Sequence, residues 1–101
     1  MSVLASRLDR ASASYRANRS ANLRLLEEIA EQLAKARAGG GPRYVERQRA
    51  RGKLLARERI ELLLDRDAPF LELSPLAAWG SDFHIGASGV TGIGPIEGVE
   101  C

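Results

Sequence analysis

The residue vocabulary of this chain changes two-thirds of the way along, and that change limits what it can fold into. Before residue 65, β-branched residues are almost absent and Ala, Leu, Arg and Glu dominate, a mixture that favours helix. From residue 68 onward, short alternating apolar runs are broken by glycine, proline and serine, the chemistry of strands and turns. A helical preface leading into a β-rich region is the expected organisation. With 101 residues there is room for one small domain or part of a larger one.

Within the preface, residues 2–14 alternate small and charged residues, and Leu4 with Leu8 supplies one i, i+4 pair, so a frayed helix is expected. Five Arg, five Ser and one acidic residue before Glu27 give this end a loose likeness to an organelle transit peptide; a poorly packed extension is the competing reading. From Tyr15 to Ala38 the pattern strengthens, with Leu23, Leu26, Ile29, Ala30 and Leu33 on one face and Arg24, Glu27, Glu28, Glu31 and Lys35 opposite. Gly39-Gly40-Gly41-Pro42 should stop that helix. A second helix is expected from Arg43 to Arg51, closed by Gly52, and a third from about Ala56 to Leu64, broken by Asp65, Asp67 and Pro69.

Phe70-Leu71-Glu72-Leu73 reads as a short strand, Leu76 to Gly80 as one helical turn or an irregular link, and 81–89 as loop. Gly89 to Gly94 reads as a strand whose glycines let another backbone approach closely. Glu97-Gly98 should form a two-residue hairpin turn, with Val99-Glu100-Cys101 starting the return strand. A hairpin with so little of its second strand is marginal alone, so the chain is expected to be an N-terminal fragment of something longer. Only five aromatics supply large core residues, so partners or further chain should complete the packing.

Several function classes are excluded. No apolar run approaches the roughly 18 residues of a membrane span, and no secretory signal pattern is present. A single cysteine, Cys101, excludes an internal disulfide and a cysteine-based zinc cluster, and with one histidine no metal set can be assembled. Neither Gly39-Gly40-Gly41 nor Gly52-Lys53 continues as a phosphate-binding P-loop, and the glycines at 86, 89, 92, 94 and 98 have no following helix to receive a dinucleotide. His84 near Asp82 reads as a surface loop pair; Ser81 and Ser88 are in no nucleophile elbow.

Charge is the remaining signal. The net value of +2 hides 14 Lys+Arg against 6 Asp+Glu in residues 1–60, and 1 against 7 in residues 61–101. The basic run Arg43, Arg47, Arg49, Arg51, Lys53, Arg57 and Arg59 admits three readings: nucleic-acid phosphates, a smaller polyphosphate such as coenzyme A, or pairing with carboxylates such as Asp65 and Glu61. Tyr44 is the only aromatic in it, which leaves single-strand stacking without platforms.

The stretch Arg51-Gly52-Lys53-Leu54-Leu55-Ala56-Arg57-Glu58-Arg59-Ile60-Glu61-Leu62-Leu63-Leu64-Asp65 closely resembles a signature segment of acyl-CoA carboxylase β subunits, the carboxyltransferase chains of biotin-dependent enzymes. Gly39-Gly40-Gly41, Pro69-Phe70-Leu71-Glu72-Leu73-Ser74 and Val90-Thr91-Gly92-Ile93-Gly94 through Gly98-Val99-Glu100-Cys101 extend the resemblance, in one register, over residues 15–101. The methylcrotonoyl-CoA carboxylase branch is most similar and geranyl-CoA carboxylase next. Four departures stand out. Gln48-Arg49 occupies a place where relatives often carry His, and Leu55-Ala56 supplies no capping residue for the third helix. Asp65-Arg66-Asp67 replaces Asp-Pro-Gly, and Pro95 replaces a basic residue and suits only an edge or bulge.

The resemblance implies an α/β protein: N-terminal helices leading into a crotonase-like domain of β-β-α repeats, truncated after its first strands. It divides the chain into an extension (1–14), a helical segment (15–67) and the incomplete start of the carboxyltransferase domain (68–101). It implies a ligase subunit that moves a carboxyl group from carboxybiotin to an acyl-CoA such as 3-methylcrotonoyl-CoA. Biotin would be carried by a biotin carboxylase/carrier α subunit, and other β subunits would complete a homo-oligomeric core. Oxyanion-stabilising amides would lie beyond Cys101, so no catalytic residue is expected here and the segment alone should be inactive. Arg51 and Lys53 are the candidate contacts for CoA phosphates. No metal, nucleic acid or membrane is implied; the bacterial cytoplasm is the expected location and the mitochondrial matrix the alternative. A free-standing assembly module and a basic nucleic-acid-binding peptide are the competing functions.

Overall fold

The computed structural model describes residues 3–86 and 89–101, so Ser88 lies outside the described residues. The chain forms two compact units, residues 1–30 and 31–101. Three helices, α1 (Ala13–Arg37), α2 (Pro42–Ala50) and α3 (Ala56–Leu63), precede four short strands, β1 (Leu71–Leu73), β2 (Thr91–Ile93), β3 (Pro95–Ile96) and β4 (Val99–Glu100). The predicted order of helices then strands is what the chain adopts.

The expected frayed helix over residues 2–14 is absent from residues 3–12, and α1 begins only at Ala13. Local side-chain bonding accounts for the difference. Asp9 Oδ1 accepts the Ala11 N–H at 2.9 Å and the Ser12 hydroxyl donates to the Asp9 carbonyl at 2.8 Å, giving the backbone a turn in place of a helix. Ser12 then caps α1, its Oγ accepting the Tyr15 N–H at 3.2 Å.

At the other end of α1 the glycine stop holds. Gly39, Gly40 and Gly41 have φ of 69°, 84° and 100°, a left-handed run that residues with a Cβ rarely adopt. Pro42 does more than block α1: it stands in the first turn of α2, where its missing N–H costs no hydrogen bond. The start of α3 has no capping oxygen from Leu55, as its sequence implied, but is supported from inside the helix. Glu58 Oε2 accepts the Leu55 N–H at 2.7 Å.

The strands make two antiparallel pairs. β1 and β2 align Leu71 with Ile93, Glu72 with Gly92 and Leu73 with Thr91. β3 and β4 align Pro95 with Glu100 and Ile96 with Val99, and Gly94 and Cys101 extend that ladder by exchanging both backbone bonds at 3.0 Å. Glu97 and Gly98, with φ of 51° and 78°, form the expected two-residue turn; both positive values match a type I′ hairpin. Pro95 sits where a missing donor is tolerated, on a strand paired along one side. Between β1 and β2, residues 75–80 form successive turns rather than a helix, with Ser74, Ala78 and Gly80 all at positive φ.

Asp65 ties the end of α3 to the hairpin. Its carboxylate accepts the Glu97 N–H at 2.7 Å and the Gly98 N–H at 2.8 Å, and its own N–H donates to the Pro95 carbonyl at 3.0 Å. Two residues on, Asp67 has φ 58°, a left-handed position that non-glycine residues seldom adopt and that Asp tolerates better than most. Gly92 in β2 and Gly94 just after it admit side chains as well as backbone: a Cβ on Gly92 would meet the Phe70 ring and the Leu71 carbonyl, and one on Gly94 the Leu64 side chain. Among the described residues Ala36 is the one buried apolar side chain, and Leu23, Leu26 and Ile29 on the apolar stripe of α1 are exposed.

Candidate functional site

The basic run occupies α2, α3 and the turn between them. Arg51 closes α2, and the turn is held by Gly52 N–H to the Arg49 carbonyl at 2.9 Å and Lys53 N–H to the Gln48 carbonyl at 3.2 Å. Gln48 braces the turn from the other side, its Nε2 donating to the Leu54 carbonyl at 3.3 Å. The two candidate phosphate contacts, Arg51 and Lys53, are both exposed on this turn, and no ion pair engages either among the described residues.

The rest of the run divides by chemistry. Arg57 makes a two-pronged pair with Glu72 on β1, Nη1 to Oε2 at 2.9 Å and Nη2 to Oε1 at 2.6 Å. The Glu72 side chain is 14% exposed and that of Arg57 28%, so the pair is largely withdrawn from water. Arg37, at the end of α1, reaches the same carboxylate at 4.0 Å. Hydrogen bonding from Arg57 holds the Glu72 carboxyl below the usual carboxylate range, outweighing the opposing effect of burial, and the same contact pushes Arg57 up. Arg49 binds Glu58 at 3.0 Å, and Glu58 is also lowered, first by the Leu55 N–H and then by Arg49.

Carboxylate pairing was one of the three readings of this run, but the expected partners are not the ones used. Glu72 and Glu58 take the arginines, whereas Asp65 is committed to backbone amides of the hairpin turn. Glu72 was not picked out from the sequence. The signal that points to it is the alternation of Leu71-Glu72-Leu73, which here runs opposite to a strand on an apolar core: the leucines are exposed and the glutamate is half-buried. His84 likewise meets an unexpected neighbour. Its ring lies 5.8 Å from that of Tyr44, tilted by 55°, and the Arg47 guanidinium carbon lies 5.2 Å from the Tyr44 ring centroid.

A cavity of about 420 Å³ is bordered by residues of α2 and α3, the Leu54-Leu55 link, Arg37, Gly39 and Gly86. No cluster of three or more His, Cys, Asp or Glu able to hold a metal ion occurs among the described residues. No helix among them is long and apolar enough to cross a membrane.

Residues 47–101, which contain this basic turn, α3 and all four strands, match the carboxyl transferase domain family, and the chain belongs to that family. Its relatives include β subunits of acyl-CoA carboxylases. The chain is 71% identical, over 75% of its length, to a probable biotin-dependent acyl-coenzyme A carboxylase beta2 subunit of Mycobacterium tuberculosis, covering 14% of that protein. It is 43% identical over 98% of its length to the mitochondrial methylcrotonoyl-CoA carboxylase beta chain of Dictyostelium discoideum, covering 17% of it. The crystal structure of the P. aeruginosa geranyl-CoA carboxylase beta subunit superposes with a TM-score of 0.59 at 38% identity, covering 97% of this chain and 18% of that one. The chain thus spans less than a fifth of the length of each of these relatives.

Proposed function

We propose that this chain acts as the N-terminal part of the carboxyltransferase β subunit of a biotin-dependent acyl-CoA carboxylase, with 3-methylcrotonoyl-CoA or a similar branched acyl-CoA as acceptor. The match of residues 47–101 to the carboxyl transferase domain carries this reading. The relatives named for methylcrotonoyl-CoA and geranyl-CoA support the branched acyl group. In this reading the two short antiparallel sheets open a crotonase-like domain whose first residues are 68–101, residues 15–67 form its helical preface, and residues 1–14 its extension. Biotin, carried by an α subunit, would deliver the carboxyl group; no step of that transfer is assigned to a residue of this chain, and the segment alone is inactive. Further β subunits complete the assembly, in the bacterial cytoplasm or in a mitochondrial matrix.

The role of these residues is then positional. The Arg57–Glu72 pair fixes α3 against β1, and Asp65 fixes the hairpin, so the sheet starts in one register. The exposed turn offers Arg51 and Lys53 to the phosphates of CoA. The test is a chimera in which this chain replaces the matching segment of the Dictyostelium methylcrotonoyl-CoA carboxylase beta chain, assembled with its biotin-bearing partner. Carboxylation of 3-methylcrotonoyl-CoA near the parental rate is expected; an assembled but inactive chimera overturns the reading. In the same chimera, Arg51→Ala with Lys53→Ala should raise the KM for acyl-CoA several-fold with kcat unchanged, and an unaltered KM removes these two residues from the CoA site.

A further inference from the structure

We draw no further inference here: the strongest candidate, the exposed apolar surface patch of Leu23, Leu26 and Ile29 on α1, carries nothing because nothing in the structure shows what covers it.

Discussion

Residues 3–30 and residues 31–101 both carry apolar residues at helical spacing, but the two regions use them differently. In the first, side-chain hydrogen bonds span two to four residues, as in Asp9 with Ala11, Ser12 with Tyr15 and Asn22 with Asn18, and Leu26 is 59% exposed. In the second, bonds join residues far apart in sequence. Arg57 reaches Glu72, Asp65 reaches Glu97 and Gly98, and Trp79 Nε1 donates to Gln32 Oε1 at 3.2 Å. Periodicity makes a helix in both regions; the second also joins side chains to partners distant in sequence, and those partners are mainly polar. A region with a single buried apolar side chain among its described residues depends unusually heavily on directional contacts.

The comparison breaks most readily at Gly86. This residue has φ 72°, and a Cβ there would run into the Ala36 carbonyl, so Gly86→Ala combines backbone strain with a steric clash. A loss of about 3 kcal/mol is expected, read as a collapse of the urea midpoint followed by Trp79 fluorescence. An unchanged midpoint would mean that Gly86 does not hold the end of α1.

Next comes the ion pair. Glu72→Gln leaves Arg57 without its counter-charge and should cost about 2 kcal/mol, between the values for exposed and buried pairs. A double-mutant cycle with Arg57→Met measures the coupling directly. The same pair sets an acid response. Because the folded pKa of Glu72 lies below its ordinary 4.5, its contribution is fully present at neutral pH and is lost as pH falls below 4.5 through the lowered value. Urea titrations at pH 7 and pH 3 should show this loss in the native protein and little of it in the Glu72→Gln variant.

Asp65→Ala should cost about 1.5 kcal/mol by removing two bonds to a charged acceptor at a solvent-exposed turn. Amide exchange at Gly94 and Cys101 should accelerate, since the clasp and the β3–β4 ladder share the hairpin. The smallest effect belongs to the first region. Leu26→Ala should shift stability by less than about 0.5 kcal/mol; a loss above about 1 kcal/mol would sharpen the comparison by showing that the α1 stripe is covered in solution.

Local rules read directly from the sequence account for much of the fold. The triple glycine, the Glu97-Gly98 turn and the three helices each follow from the conformational range of a few neighbouring residues. The frayed N-terminal helix failed because Asp9 and Ser12 offered the backbone nearer partners than the next helical turn. The site was legible in part. Arg51-Gly52-Lys53 stood out and lies on an exposed turn. The hub at Glu72 did not, because one glutamate in a short alternating strand has no local mark showing which face will be covered.

The sequence alone determined the order of helices and strands, the positions of their stops and the family to which the chain belongs, since each is encoded in contiguous residues. Tertiary structure alone decided which arginines are neutralised, that Asp65 clasps a hairpin 32 residues away, and that Arg37, Arg47, Arg57 and Arg59 face one cavity. The reason is distance: those contacts depend on where the backbone places charges remote in sequence, and a guanidinium's preference for one carboxylate over another is fixed only when the two are brought within bonding range.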